Sequence, residues 1–333
     1  MTMSIKKLTR REFHNPNILV TGGAGFIGSC LIPVLLDNGY HVTVVDDLST
    51  GKKSNVEPFM SVENFQFMEL DILDLDKLKQ VVKQCDLIYH LAANVEVRTG
   101  EFDTEIDFVK NIVATRNVLE SMRASDKCKK ILFTSSSVVY GEPLTIPTPE
   151  DYGPLYPISL YGASKLACEA LISGYAGMFG MNAVIFRLAN IVGPTSGHGV
   201  IFDFIRKLKI PDNKYLEILG NGTQKKSYLY IDDCIDALVL GLGELISGIE
   251  VFNVGSDDQV DTNTIASIIL NELGLEREIK YTMRQADGRG WLGDIRNMQL
   301  STDKIKKIRW KINYSSRESV YLTVKKIIEQ DLI

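Results

Sequence analysis

The sequence has few cysteines, no long apolar run and no strong excess of one charge. Its five cysteines are dispersed and odd in number, and none stands in a Cys-x-x-Cys pair. This favours free thiols in a reducing cytoplasm over a disulfide framework or a zinc site. No stretch reaches the roughly 18 consecutive apolar residues that a membrane helix requires, and the four histidines lack metal-ligand spacing. These absences predict a cytoplasmic protein that neither spans a membrane nor holds a metal.

The charge balance is mildly acidic. Lys and Arg total 37 and Asp and Glu total 42, which gives a net charge of −5. The chain therefore lacks the electrostatic footprint of a general nucleic-acid binder. The N-terminus is basic (Lys6, Lys7, Arg10, Arg11), but no apolar segment follows it. It is not expected to be a secretory signal, and we interpret it as a solvated tail.

The order of predicted elements indicates the fold class. Short apolar strands alternate with helices through the first half of the chain, which is typical of a parallel sheet covered on both faces. The strands are predicted at Asn17–Thr21, His41–Asp46, Phe65–Leu70, Leu87–Leu91, Ile131–Ser135 and Ala183–Leu188. The prediction is an α/β protein with a Rossmann-type doubly wound parallel sheet over residues 15–192. A smaller C-terminal α/β substrate-binding lobe is formed mainly by 193–333, and the two make one catalytic unit.

A glycine-rich turn follows the first strand and opens the first helix. Its glycines are Gly22, Gly25 and Gly28. They permit, in turn, a tight bend, close approach of a pyrophosphate to the backbone, and close packing of the helix on the strand. Asp46 ends the second strand, where a carboxylate accepts hydrogen bonds from ribose hydroxyls and repels a 2′-phosphate. The pattern predicts a dinucleotide site that prefers NAD to NADP; the alternative is an ordinary strand–helix turn.

A tyrosine and a lysine stand one helical turn apart on the predicted helix near 159–179. Tyr161 and Lys165 then share a face, and the ammonium is expected to lower the pKa of the phenol. Ser136 belongs to a serine-rich strand end, at the sheet edge where ligands bind. We predict that Tyr161 exchanges a hydroxyl proton while hydride passes to the cofactor. The alternative is that the serines only satisfy local backbone groups.

These motifs together resemble the extended short-chain dehydrogenases/reductases of the NAD-dependent nucleotide-sugar epimerase/dehydratase type. The resemblance covers roughly residues 17–330. The matching stretches are TGGAGFIGS (21–29), VDDLSTG (45–51), LDILD (70–74), HLAA (90–93), FTSSSVVYG (133–141), YGASK (161–165), RLANIVGP (187–194) and STDKIKKIRWK (301–311).

The resemblance implies functional positions across the chain. Ser136, Tyr161 and Lys165 would be catalytic. Besides Tyr161 and Lys165, NAD would be bound by Gly22, Gly25, Phe26, Ile27, Gly28, Asp46, Asp47, Leu48, Ser49, Thr50, Gly51, Asp71, Ile72, Leu91, Ala92, Ala93, Val95, Asn111, Ser135 and Ala189. The nucleotide sugar would be bound by Ser136, Asn190, Lys226, Arg289 and Asp294. Family members are usually dimers that pair the helices near 107–123 and 159–179, so a homodimer is expected.

The residues after Ser136 narrow the reaction. Dehydratases of the family carry an Asp-Glu pair, and decarboxylases a glutamate, where this chain has Ser137 and Val138. Val138 exchanges no proton, which argues against both reactions. The resemblance then implies C4 epimerisation of a nucleotide sugar through a 4-keto intermediate, with UDP-glucose and UDP-galactose as the expected pair. Reduction of a 4-keto nucleotide sugar, epimerisation of another nucleotide sugar, and a non-catalytic NAD sensor are the alternatives.

Three departures from the family fall in the sugar-nucleotide pocket. Lys226-Ser227 stands where epimerases usually have Arg-Asp, Trp291 occupies the place of an arginine, and Val200 that of an asparagine. Lysine neutralises a diphosphate only as a point charge. Arg289 is expected to take over from the arginine missing at Trp291. These departures concern the identity of the nucleotide and the sugar, and they leave the redox chemistry intact.

Overall fold

The computed structural model of the chain describes residues 16–245, 248–283 and 285–332. The basic N-terminal tail and residue 15, where the first domain is predicted to begin, lie outside these residues. The strands are β1 (Asn17–Thr21), β2 (His41–Asp46), β3 (Phe65–Glu69), β4 (Leu87–His90), β5 (Lys130–Ser136), β6 (Asn182–Leu188), β7 (Asn190–Val192), β8 (Tyr215–Leu219), β9 (Lys225–Lys226), β10 (Tyr228–Tyr230), β11 (Ile249–Val254), β12 (Val260–Asp261), β13 (Glu278–Thr282) and β14 (Asn297–Met298).

The α-helices cover both faces of the central sheet and build most of the smaller lobe. They are α1 (Phe26–Asp37), α2 (Leu75–Val82), α3 (Ala114–Arg123), α4 (Leu160–Phe179), α5 (Val200–Lys209), α6 (Ile231–Leu240), α7 (Thr262–Glu272), α8 (Asp303–Lys307) and α9 (Ser316–Glu329). A π-helical segment, Phe108–Val113, leads directly into α3. No helix within the described parts of the chain is long and apolar enough to cross a membrane.

The central sheet has seven parallel strands in the order β11-β6-β5-β4-β1-β2-β3. The order reverses at β1, so the glycine turn after β1 and the loop after β4 lie beside each other at a topological switch point. In β1, Ile18 and Val20 pack into one apolar layer, whereas Leu19 packs into the other. Because side chains alternate along a strand, both faces of the sheet are buried. The predicted doubly wound fold is confirmed.

The chain leaves the sheet after β6 and later returns to it. The returning strand is β11, which pairs with β6 from Ile249 to Val254. The prediction assigned 193–333 mainly to a second lobe, so the structure adds a sheet strand that lies beyond that boundary. The lobe itself packs α5, α7 and α9 around a separate apolar core that includes Ile205, Ile265 and Val324. Its strands form small sheets, such as β8 with β13 and β9 with β12 and β14.

Candidate active site

One large cleft runs along the carboxyl edge of the central sheet and between the two lobes. Its volume is about 1120 Å³. The residues predicted from the sequence that line it are Gly22, Gly25, Phe26, Ile27, Gly28, Asp46, Asp47, Ser49, Thr50, Asp71, Ile72, Leu91, Ala92, Ala93, Val95, Ser135, Ser136, Tyr161, Lys165, Ala189, Asn190, Lys226 and Asp294. The fold therefore gathers residues from both halves of the chain along one continuous wall.

Four predicted site residues lie behind or beside that wall. Leu48 donates its backbone N–H to Asp46 Oδ1 at 2.9 Å, and a Cβ at Gly51 would lie 2.8 Å from the same oxygen. Leu48 thus holds the carboxylate of Asp46 by a hydrogen bond, and Gly51 leaves the space that this carboxylate occupies. Asn111 is buried behind Tyr161, where its amide donates to Ser164 Oγ at 2.8 Å. Arg289 is directed elsewhere.

Two glycines of the turn stand where the neighbouring protein backbone leaves no space for a side chain. A Cβ at Gly22, whose φ is +71°, would lie 2.7 Å from the backbone nitrogen of Ala92. A Cβ at Gly28 would lie 2.6 Å from the carbonyl oxygen of Gly22. Helix α1 begins at Phe26, and its N-cap Gly25 has no side chain to cap the first N–H groups. These groups suit a pyrophosphate, so the turn fits NAD.

Replacing Gly28 with alanine tests this close packing. The added methyl group has no space against the backbone of Gly22 and Gly23. We expect G28A to lower the free energy of unfolding by about 1–3 kcal/mol and to reduce the NAD content of the purified protein. G174A is the matched control, because nothing lies within 4 Å of a Cβ at Gly174 in α4, and we expect it to be neutral or stabilising by up to about 1 kcal/mol. Urea unfolding measures the stability of each variant, and NAD released on denaturation measures its cofactor content. A G28A protein with the stability and the NAD content of wild type would contradict the packing argument.

Asp46 closes the adenosine end of the cleft. Its carboxylate is buried and accepts N–H groups from Ala24 at 2.9 Å and from Leu48 at 2.9 Å. Burial raises the pKa of Asp46, and the two backbone donors oppose that rise. Each carboxylate oxygen has a second lone pair, so the group still has acceptor capacity for ribose hydroxyls.

Lys110 joins two acidic strand ends at the same end of the cleft. Its ammonium lies 2.8 Å from Asp47 Oδ2 and 3.4 Å from Asp71 Oδ2. The hydrogen bond to Asp47 raises the pKa of Lys110. Sequence reasoning did not identify Lys110, because it precedes Asn111 in a helical segment far along the chain from β2 and β3. Only the sheet order brings these three charges together.

The catalytic candidates meet where β5 ends and α4 begins. Ser159 caps α4 by accepting the N–H of Gly162 at 3.1 Å, so Tyr161 and Lys165 fall in the first turns of the helix. The side chains of Tyr161 and Ser136 line the same part of the cleft, and hydrogen bonding from Ser136 lowers the pKa of the phenol, against the rise that burial causes. The buried Lys165 ammonium donates to the carbonyl oxygen of Thr134 at 3.0 Å and lies 5.8 Å from the centroid of the Tyr161 ring. The structure therefore places all three side chains around one point of the cleft.

The electrostatics of this pair differ from the sequence-based expectation. The pKa of Tyr161 is raised, first by burial and then by the negative charge of Asp107. Burial also lowers the pKa of Lys165 to about 8. The ammonium of Lys165 thus does not by itself depress the pKa of the phenol, because loss of solvent around Tyr161 outweighs it.

A buried hydrogen-bonded chain fixes the sheet behind the catalytic residues. His90 Nδ1 lies 2.7 Å from Thr21 Oγ1, and His90 Nε2 lies 3.0 Å from Thr115 Oγ1. Thr115 donates in turn to Cys168 Sγ on α4 at 3.2 Å. Burial lowers the pKa of His90 to about 3, so His90 is neutral at physiological pH. In the described residues, no group of three or more His, Cys, Asp or Glu side chains has the geometry of a metal site.

The substrate half of the cleft holds fewer uncompensated cations than the sequence suggested. Lys226 forms an ion pair with Asp294 at 2.5 Å. Arg289 is not a cleft residue: its guanidinium pairs with Asp287 at 2.7 Å and with Glu142 at 3.3 Å. The expectation that Arg289 replaces an arginine at Trp291 is therefore corrected, because two carboxylates outside the cleft hold its side chain. Arg206 of α5, which sequence reasoning missed, lines the cleft and donates to the carbonyl oxygen of Gly197 at 2.8 Å.

Named enzymes are similar in sequence to this chain over most of its length. A UDP-glucose 4-epimerase of Mycolicibacterium smegmatis is 30% identical over 92% of this chain and 96% of its own length. A UDP-N-acetyl-alpha-D-glucosaminuronate decarboxylase of Bacillus cytotoxicus is 35% identical over 75% of this chain and 78% of its own.

Solved structures agree with these similarities. The crystal structure of a UDP-galactose 4-epimerase superposes with a TM-score of 0.83 at 37% identity, covering 95% of this chain and 100% of the other. The UDP-glucuronic acid 4-epimerase of Bacillus cereus, in complex with UDP-glucuronic acid and NAD, superposes with a TM-score of 0.84 at 31% identity, covering 94% and 99%. Residues 18–255 match the NAD dependent epimerase/dehydratase family. The chain therefore belongs to that family, among its nucleotide-sugar 4-epimerase-like enzymes, and its cofactor is NAD.

Proposed function

We propose that this protein interconverts UDP-glucose and UDP-galactose by epimerisation at C4. The observation that carries the proposal is the hydroxyl pair of Tyr161 and Ser136 beside buried Lys165, facing the same cleft as the glycine turn. The next cleft residues, Ser137 and Val138, supply no carboxylic acid. A site with one proton-transfer residue and no second acid suits hydride transfer without elimination of water. The sequence similarity to 4-epimerases supports the same reaction.

Each side chain at the reaction centre has a separate role in the proposed epimerisation. Tyr161 takes the proton of the C4 hydroxyl and later returns it, with Ser136 hydrogen-bonded to the reacting oxygen. NAD would be held by the glycine turn and Asp46, and when bound it would supply the reversible hydride acceptor that C4 epimerisation requires. Lys165 contributes a positive charge below Tyr161, where Thr134 fixes its position. Asp46 and the glycine turn hold the cofactor in register with this centre.

The nucleotide diphosphate is assigned to the cleft wall contributed by the smaller lobe. Lys226 and Arg206 are cations of this wall, and Asn190 is held there by the hydrogen bond that its side-chain amide donates to the carbonyl oxygen of Ser227 at 3.1 Å. Because Asp294 neutralises much of the Lys226 charge, Arg206 carries more of this role than the sequence suggested. Residues 193–333 thus act mainly as the substrate lobe of a single catalytic unit.

A homodimer in a reducing compartment fits the exposed and buried side chains. Phe108, in the segment leading into α3, is 55% exposed, and Met178, near the end of α4, is 77% exposed. Apolar side chains on these two neighbouring helical segments are suited to pairing with a second copy.

The cysteines fit a reducing compartment. All five are unpaired, and four of them are buried, as expected of thiols in the cytoplasm.

Purified protein tested with UDP-glucose and UDP-galactose decides the activity. We expect interconversion in both directions without net consumption of NADH, because each turnover returns the hydride. Mass spectrometry of co-purifying ligands should find NAD. Interconversion of UDP-glucuronate or an N-acetylated UDP-hexose instead would move the proposal to another 4-epimerase substrate. Stoichiometric oxidation of NADH with a 4-keto nucleotide sugar would replace it by a reductase, and NAD binding without any of these activities would indicate a sensor.

A further inference from the structure

Asp107 is a buried carboxylate that the reaction outlined above does not use. It is only 1% exposed, at the start of the π-helical segment. Its Oδ1 accepts the side-chain amides of Asn94 at 2.9 Å and Asn111 at 3.3 Å. Its Oδ2 is buried without a hydrogen-bond partner among the described residues. A buried polar atom of this kind is costly, and its position beside the catalytic helix suggests a use.

The hydrogen bonds of Asp107 join the two sides of the reaction centre. Asn94 lies in the loop after β4, between Ala93 and Val95 of the cleft wall. Asn111 donates also to Ser164 Oγ at 2.8 Å, and Ser164 donates to the carbonyl oxygen of Tyr161 at 2.8 Å. The loop beside the cofactor site and the first turn of α4 are thus connected through one carboxylate.

The charge of Asp107 acts on both catalytic side chains. It raises the pKa of Tyr161 after burial does, and it counteracts the lowering of the pKa of Lys165 by burial. The other titratable groups that face this pair are Cys168 and Glu169 of α4 and His90 of β4, and Asp103 faces Asp107 from the preceding loop. Cys168 also acts on both Tyr161 and Lys165, but burial raises the pKa of its thiol, so Asp107 is the carboxylate that acts on both.

We propose that Asp107 is a positioning residue of the reaction centre: its hydrogen bonds to Asn94 and Asn111 align the first turn of α4 with the loop beside the cofactor, and its buried carboxylate supplies a negative charge to the two catalytic side chains. This inference rests on the proposed roles of Tyr161 and Lys165. Removal of the charge lowers the pKa of both groups, because a nearby anion favours protonation of each. The whole pH profile of the reaction therefore moves to lower pH when the charge is lost.

The test compares D107N, D107A and D103N with wild type, all with bound NAD. Asparagine at 107 keeps an oxygen acceptor for Asn94 and Asn111 but removes the charge, whereas alanine removes both. We expect D107N to shift both limbs of the kcat profile down by about 1 pH unit and to keep kcat at its optimum within about threefold of wild type. D107A should lose about tenfold or more, because misaligned groups react slowly. D103N, at an exposed position, should leave the profile unmoved.

A second measurement makes the outcome independent of the substrate. Carbon-13 NMR of the lysine Cε groups, with Lys165 assigned from the K165M spectrum, follows the titration of Lys165 directly. D107N should lower its midpoint by about 1 unit. An unchanged midpoint in folded D107N, or a profile that falls in height without moving, would overturn the inference. If no nucleotide sugar reacts with wild type, the proposed function fails, and the NMR titration still decides the charge role of Asp107.

Discussion

Replacing Tyr161 with phenylalanine is expected to lower kcat by about 10²- to 10⁴-fold, the usual contribution of a positioned proton-transfer group. The phenol of Tyr161 lines the cleft together with Ser136, and the ammonium of Lys165 lies 5.8 Å from the centroid of its ring. Phenylalanine keeps the ring against Lys165 and removes only the hydroxyl. The measurement is the initial rate with whichever nucleotide sugar wild type epimerises, together with the NAD content of each preparation.

The control is Y156F, at a tyrosine whose side chain is 72% exposed. It loses the same hydroxyl group at a position that does not line the cleft, so its rate should equal that of wild type. NAD content should be unchanged in Y156F and close to that of wild type in Y161F, because the glycine turn and Asp46 are intact and phenylalanine keeps the aromatic ring at position 161. Full activity in Y161F would remove Tyr161 from the mechanism.

Replacing Glu169 with alanine is expected to give the largest loss of stability, about 3–5 kcal/mol, because it strands a buried charge. Glu169 lies one helical turn beyond Lys165, and its carboxylate receives Arg187 Nη2 at 2.7 Å and Ser135 Oγ at 2.5 Å. Both members of the ion pair are less than a tenth exposed. Arg187 also donates to the hydroxyl of Tyr140 at 2.9 Å, so the pair ties α4, β5 and β6 together.

Urea unfolding measures this loss as a lower midpoint at an unchanged slope. E329A is the matched control, because Glu329 forms a long, exposed pair with Lys325 at 3.9 Å, and such pairs contribute about 0–1 kcal/mol. The double variant E169M/R187M should be more stable than E169A, since it leaves no unpaired buried charge. Equal losses in E169A and E329A would show that the buried pair contributes no more than an exposed one.

The sequence predicts the local elements well where periodicity and turn chemistry decide them. The strands Asn17–Thr21 and His41–Asp46 have the predicted bounds. Helix ends differ by a residue or two, because fraying and caps are not resolved by pattern alone. The helix expected near 107–123 divides into a π-helical segment and α3. The carbonyl oxygen of Asn111 in this segment also accepts a hydrogen bond from Cys168 Sγ at 3.4 Å, a tertiary contact that no local pattern contains.

Short local motifs were sufficient to predict the dinucleotide site and the proton-transfer pair. These motifs are the glycine turn, Asp46 at a strand end, and Tyr161 with Lys165. Each depends on a bend, a strand end or one helical turn, and these are local properties of the chain. The family, the cofactor and the class of reaction follow from them. The argument against dehydration and decarboxylation likewise rests on adjacent residues, because Ser137 and Val138 follow Ser136 where those enzymes carry an acid.

The charges around the site were decided by the tertiary structure alone. Arg289 pairs with Glu142 from a distant loop, Lys110 contacts the ends of two strands, and Asp107, whose Oδ2 has no hydrogen-bond partner among the described residues, lies beside α4. Whether a lysine or an aspartate acts at a site depends on which opposite charge lies within a few ångströms and how much water is excluded. Both quantities arise only when distant segments pack together. The sequence by itself determined the redox chemistry, and packing determined which charges are free to serve it.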